Sequence, residues 1–293
     1  LTVRVVAPAS TANLGPGFDA AAAALELWNE VVVEEGGISK GMAGVEIEGE
    51  GVDELPRDAT HLTLRAFALF APVDGYRFSF VNRIPLERGL GSSAAAIAMG
   101  LVAGAAVTGR VALPGELLTL GVPIEGHADN LAAALYGGVC IAMKRNGTIH
   151  ASRIAGDMPV AAIVAVPAAR TSTAASRNGL PHKVTHADAA HNAASAAMLG
   201  AAIAGGDATL LRDAFDDRLH EQYRIADAPL LQALRTHAPD GTVGVTLSGS
   251  GPSVVVWAEN DRVADVTLEL KDSLPDDTMV LPLRVAQEGA KRT

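Results

Sequence analysis

One stretch restricts the architecture more than any other. Arg88-Gly89-Leu90-Gly91-Ser92-Ser93-Ala94-Ala95-Ala96 runs directly into a segment of Ala, Ile, Met, Gly, Leu and Val that continues to Val107. The glycines permit a tight loop, and residues 94–107 predict a buried helix. A helix that opens on such a loop presents unpaired N–H groups and the positive end of its dipole. An anion is stabilised there, and polyphosphate can approach glycine backbone closely. The two serines suit a helix cap, a phosphate contact or part of a magnesium shell. From the loop alone, a phosphate cradle and a ligand-free cap both stand. No Gly-Lys-Ser or Gly-Lys-Thr follows, so this is not a Walker loop, and the dinucleotide pattern Gly-x-Gly-x-x-Gly is also missing.

The surrounding pattern sets the fold class. Strands are predicted at 3–7, 25–34, near 45–47 and at 76–81, with turn formers filling 8–18. A helical spacing covers 60–70. After the loop and its helix come a helical or turn segment at 117–124, a short helix at 129–135 and a strand at 139–143 entered from Gly137-Gly138. The polar stretch 144–158 contains Asn146-Gly147, a hairpin signal, and predicts a boundary. Beyond it, a strand is expected at 161–166, helices from His186 to Ala204, at 207–223 and at 228–237, strands at 243–247 and 254–258 about a glycine loop, a helix at 262–272 and a strand at 278–285. The order reads as an α+β protein in two halves, divided at 155/156. It is not eight βα units. A simple dinucleotide fold is disfavoured, because the glycine loop follows several strands and not the first.

Composition excludes some function classes. The chain carries 33 acidic and 23 basic side chains, a formal charge of −10, and shows no basic run; this predicts no nucleic-acid partner. Aromatic residues make up 4%, so the core must close through small aliphatic side chains and near backbone contact. The lone cysteine, Cys140, rules out an internal disulfide or a multi-thiolate metal site and suits a reducing compartment, here the cytoplasm. No uncharged apolar run reaches 18 residues, so no membrane partner is expected. Residues 1–5 read as a strand rather than a signal peptide.

Two distant stretches complete the pattern: Pro8-Ala9-Ser10-Thr11-Ala12-Asn13-Leu14-Gly15-Pro16-Gly17-Phe18-Asp19 near the start and Gly244-Val245-Thr246-Leu247-Ser248-Gly249-Ser250-Gly251-Pro252-Ser253 near the end. With Pro85 to Ala95 between them, they resemble the three signature motifs of the GHMP kinases, in order and over nearly the whole chain. The first motif, together with Glu125-Gly126-His127-Ala128-Asp129-Asn130, most resembles the homoserine kinase branch. The resemblance implies a ribosomal protein S5 domain 2-like N-terminal domain, a ferredoxin-like α+β C-terminal domain, and an active site between them. It implies ATP-dependent phosphorylation of L-homoserine to O-phospho-L-homoserine, a step toward threonine, and a homodimer.

The same resemblance implies residue roles. Pro85, Leu86, Glu87, Arg88, Gly89, Leu90, Gly91, Ser92, Ser93, Ala94 and Ala95, with Ser250, would hold ATP. Ser93 and Glu125 would hold Mg²⁺, in keeping with its preference for hard oxygen ligands. Asn13, Asp19, His127, Asp129, Thr173, Arg177 and Arg224 would bind homoserine; an arginine fork suits its carboxylate. Asn130 stands where related kinases carry an aspartate base, and an amide takes no proton, so direct attack by the hydroxyl, helped by Ser93 and Glu125, is implied. The proton's route stays open between the phosphate and a network with Asp19 or Asp129. The chain departs from the family pattern at Ala128, where proline is usual, and at Ala59-Thr60-His61-Leu62, where an asparagine near the adenine is usual and Thr60 or His61 would take over. Two other readings stand beside it: a GHMP kinase for another alcohol, such as mevalonate or shikimate, and a non-catalytic GHMP-like regulator.

Overall fold

The computed structural model describes residues 1–36, 44–171 and 173–293, with the side chains of residues 173–175 outside the description. Strand β1 (Thr2–Ala12) pairs antiparallel with β2 (Ala21–Glu35), placing the buried Val3 and Val5 opposite Val33 and Val31. The sequence predicted turns from Pro8 onward; instead β1 continues to Ala12. Pro8 cannot donate to the ladder, and the register shifts between Pro8 and Ala9, a bulge that lets Ala9 to Ala12 resume pairing with the buried Leu25, Ala24, Ala23 and Ala22 of β2. The turn begins only at Asn13.

Strand β3 (Gly44–Gly49) runs parallel to β4 (Tyr76–Asn82), with helix α1 (Leu62–Phe67) in the crossover. Helices α2 (Ser92–Val107), α3 (Pro114–Glu125) and α4 (Asp129–Tyr136) follow, and α2 and α4 pack on the sheet. At Gly100 an added Cβ would lie 2.2 Å from the Thr63 carbonyl oxygen, so α2 meets α1 backbone to backbone. Strands β5 (Val139–Arg145) and β6 (Thr148–Ala155) form the predicted hairpin, Asn146 and Gly147 turning with φ of 52° and 80°. Among the described residues the first sheet has seven strands. Its main path is β11-β1-β2-β4-β3, where β11 (Lys291–Arg292) returns from the end of the chain; β5 joins the Ala21 end of β2 and carries β6.

The second part begins with β7 (Ala161–Val166), followed by helices α5 (Thr173–Asn178), α6 (His186–Gly205), α7 (Ala208–Ala214), α8 (Glu221–Arg224) and α9 (Pro229–Thr236). Strands β8 (Thr242–Leu247) and β9 (Val254–Ala258), helix α10 (Val263–Ser273) and strand β10 (Met279–Leu283) complete it, giving a four-stranded antiparallel sheet of order β10-β7-β9-β8. β7 is buried on both faces, which is why it reads as an unbroken apolar run. Val164 and Val166 join the core that also fills the first sheet, whereas Ile163 and Ala165 pack with Leu231 of α9 and with Val266 and Leu270 of α10. This α+β arrangement of two sheets agrees with the expected class.

The helix predicted over 207–223 is interrupted. After α7, Phe215 stacks its ring on Trp257 at 5.6 Å. The Asp217 carboxylate accepts from the backbone N–H groups of His220 at 2.9 Å and Glu221 at 2.8 Å, and so caps a new helix, α8. This break delivers His220 and Arg224 to the space between the two sheets.

Candidate active site

The site grows from the start of α2. Gly91 caps the helix with φ of 67°, a left-handed conformation that glycine adopts without strain. A Cβ there would lie 2.0 Å from Ser10 Oγ, and one on Gly89 would lie 2.1 Å from the Ser248 carbonyl oxygen. The loop is thus pressed between β1 and the Gly249 turn, and Ser248 Oγ donates to the Gly89 carbonyl at 2.7 Å. Ser92 and Ser93 open the helix, where first-turn N–H groups lack partners within the helix.

A cavity of about 280 Å³ adjoins this helix start. It gathers residues far apart in the chain: Asn13, Phe18 and Asp19 from the first turn, Ser93 from α2, Glu125 from the end of α3, and Arg177 and Arg224 from α5 and α8. Glu87, Gly89, Leu90, Gly91, Ser92, His127, Asp129, Asn130 and Ser250 also line it. Pro85, Leu86, Arg88, Ala94 and Ala95 do not. Arg88 instead donates to the carbonyls of Pro167 and Ala168 at 3.0 and 2.9 Å, pinning the loop to the end of β7, and Ala94 and Ala95 are buried in the core. Thr173 lies in α5, but its side chain is outside the described residues.

Ser93 Oγ donates to Glu125 Oε1 at 2.8 Å. Burial pushes the Glu125 carboxyl up to about 7, and the serine bond pulls the other way. Burial also raises Asp129 above the usual carboxylate range. Asn130 Oδ1 accepts from Ser10 Oγ at 2.8 Å, which fixes the amide's orientation. Across the cavity, Arg177 grips Asp19 bidentately at 2.9 and 2.6 Å. Asp19 and Asn13 both hold positive φ, 55° and 73°, and Asn13 braces the turn by accepting from Asp19 N and donating to the Gly249 carbonyl. Phe18 lies against both guanidinium groups, Arg177 Cζ at 5.6 Å and Arg224 Cζ at 5.5 Å from its ring centroid.

A second cavity of about 350 Å³ shares Glu87, Ser92 and Ser93 with the first and is otherwise mainly apolar, with Leu55, Pro56, Leu62, Phe80, Leu86 and Met99 in its wall. His61 also lines it. Its Nδ1 accepts from Thr63 N at 3.2 Å, capping α1, so Nε2 carries the hydrogen. That Nε2 is buried and has no partner among the described residues. The ring lies tilted against Phe80 at 4.6 Å between centroids, and burial holds its pKa down to about 4. Ser92 and Ser93 therefore stand at the seam between a charged chamber and an apolar one.

The GHMP kinases N terminal domain model matches residues 55–138, the stretch that carries the loop, α2 and Glu125. The chain is 41% identical over 272 residues to the homoserine kinase of Streptomyces coelicolor, spanning 90% of this chain and 87% of that protein. It is 35% identical over 297 residues to the homoserine kinase of Desulfitobacterium hafniense, spanning 98% and 99%. The chain belongs to the homoserine kinase family of the GHMP kinases. Its fold matches the crystal structure of homoserine kinase from Cytophaga hutchinsonii with a TM-score of 0.88 at 24% identity, covering 100% of this chain and 97% of that one.

Within this family fold, sequence reasoning missed Phe18, Ser10, Thr171 and His220. Phe18 stood inside the first motif, but an aromatic residue beside glycines reads as core. Ser10 was hidden by the turn predicted over 8–18, and His220 by a helix predicted to run unbroken through it.

Proposed function

We propose that this chain transfers the γ-phosphoryl group of ATP to the side-chain hydroxyl of L-homoserine, giving O-phospho-L-homoserine and ADP. The observation that carries this reading is the position of Ser92 and Ser93 between the two chambers. A nucleotide whose base enters the apolar chamber places its phosphates at the start of α2, facing the charged chamber. There Arg224 offers a cation to a carboxylate, and the Asp19–Arg177 pair offers an anion to an ammonium group and a second cation to the carboxylate once a ligand opens it. This complementarity to an α-amino acid speaks against mevalonate or shikimate, neither of which has an ammonium group.

The donor set fits magnesium: a hydroxyl and a carboxylate, both hard oxygens and already hydrogen-bonded to each other. Ser93 and Glu125 would hold the ion, which when bound neutralises phosphate charge. Gly89, Gly91 and the first-turn N–H groups of α2 cradle the triphosphate. His61 Nε2–H donates to a ring nitrogen of the base. Asn13 holds the turn that presents Asp19, while Asn130, His127 and Asp129 border the acceptor hydroxyl. Asn130 is an amide kept in place by Ser10, so it orients the hydroxyl without accepting its proton. We read the transfer as in-line and driven by positioning and electrostatics rather than by a carboxylate base. We include a ribosomal protein S5 domain 2-like part at 1–155, a ferredoxin-like part at 156–293 whose tail from Val285 onward returns to the first sheet, a homodimer and a cytoplasmic location. Among the described residues no helix is long and apolar enough to cross a membrane.

ADP release from Mg-ATP, measured with L-homoserine, mevalonate and shikimate in parallel, tests this. L-homoserine should exceed the others in kcat/KM by about a hundredfold or more. Faster turnover of either competitor overturns the assignment.

A further inference from the structure

Behind Arg224 lies a histidine that the chemistry above does not use. His220 is fully buried just before α8, with its ring stacked on Phe18 at 4.8 Å and 20° between planes. Its Nε2 is 2.9 Å from the Gly15 carbonyl oxygen, and its Nδ1 is 2.9 Å from a terminal nitrogen of Arg224. A carbonyl only accepts and a guanidinium only donates, so the partners assign the hydrogens: Nε2–H donates to Gly15, and Nδ1 accepts from Arg224. The other tautomer fails at both ends, and the imidazolium sets an N–H against the guanidinium. Burial works in the same direction, holding the ring's pKa down to about 4 against the opposing pull of Asp217.

The two partners of His220 come from opposite halves of the chain. Gly15 sits in the turn that carries Asn13, Phe18 and Asp19; Arg224 comes from the second half of the chain. Arg224 also needs restraint. Burial, and then the nearby Arg177, disfavour its charged form, and both guanidinium groups lie against one Phe18 ring. The same terminal nitrogen that His220 accepts from reaches the Gly249 carbonyl at 3.3 Å, leaving the other terminal nitrogen for a ligand.

We propose that His220 is a positioning residue: as the Nε2–H imidazole it ties the Arg224 guanidinium to the turn of residues 13–19, so that this arginine and the turn meet the carboxylate and ammonium of one amino-acid acceptor in fixed register. The role rests on the kinase reading above.

The test uses four substitutions in the full chain. His220→Phe keeps the stack on Phe18 and removes both hydrogen bonds. His220→Gln keeps an acceptor for Arg224 and a donor for Gly15. His220→Asn is polar but too short to span both. Arg224→Ala supplies the background for a cycle. His220→Phe should raise KM for L-homoserine about tenfold or more and leave KM for ATP within about twofold, and His220→Gln should recover most of the loss. In the Arg224→Ala background His220→Phe should add little. If His220→Phe does not fold, His220→Asn takes its place against His220→Gln. Equal rises in both KM values, or an undiminished effect without Arg224, overturn the role. A readout independent of turnover is the ¹⁵N signature of the ring at pH 7. A protonated Nε2 with a bare Nδ1 is expected, and the reverse overturns the proposal. Wild-type turnover of L-homoserine separately tests the kinase reading.

Discussion

Glu125 and His61 each have a structural partner, and the proposed transfer gives each a chemical task as well. Glu125→Gln keeps an oxygen for the Ser93 hydroxyl, so the fold should melt within a degree or two of wild type. It removes the negative charge, and kcat should fall about 10²–10³-fold with a higher magnesium requirement, measured by steady-state assay across magnesium concentrations. His61 caps α1 with one nitrogen and leaves the other donor without a partner among the described residues. His61→Leu should raise KM for ATP about tenfold, the worth of one hydrogen bond, while KM for L-homoserine stays level. His61→Asn, which still caps, should recover the stability lost in His61→Leu, as read by thermal unfolding.

Helix α2 and its loop were legible at the scale of elements because their signals are local. The serines, the glycines and the run of small apolar residues all lie within twenty positions, and the structure places the helix at Ser92–Val107. The Asn-Gly hairpin was legible for the same reason. Two elements were misread, each because a distant group overruled local propensity. β1 passes through Pro8 because β2 supplies a pairing partner beyond the bulge, and the helix at 207–223 breaks because Asp217 recaps the chain and Trp257 draws Phe215 aside. At Gly91 local and distant constraints coincide. Gly91→Ala forces a Cβ into left-handed backbone and against Ser10 Oγ, so it should cost about 1–2 kcal/mol or more in urea unfolding and weaken ATP binding. Gly147→Ala has a similar φ but open space around the added Cβ; it should lose stability alone, with KM for ATP unchanged.

For the molecule as a whole, two buried neutral histidines make stability depend on pH. His61 and His220 both have pKa values held near 4 by burial, against about 6.5 when exposed. The unfolded chain therefore binds more protons between these values. Their contribution is fully present above about pH 6.5 and is lost as pH falls toward 4, at up to about 1.4 kcal/mol per pH unit for each histidine. Buried Glu125 and Glu221, both pushed up to about 7, act in the opposite sense over much of the same range, so the histidine part is read as a difference: between pH 7.5 and 5 the urea midpoint of the wild type should fall relative to that of the pair His61→Asn with His220→Gln. An unchanged slope in that double variant would assign the acid sensitivity to other groups.

Sequence alone determined the glycine loop and the helix that follows it, the α+β class and the family, because caps, turns and apolar periodicity are written in neighbouring residues and the three motifs keep their order. Tertiary structure decided which distant side chains share a cavity. Asp19 meets Arg177 across 158 positions and His220 meets Gly15 across 205, and no local spacing encodes such pairs. They exist because two sheets bury a common core and press the Gly91 loop, the Asn13 turn and the Asp217-capped helix into one space, where burial then sets the charge and the tautomer of each group.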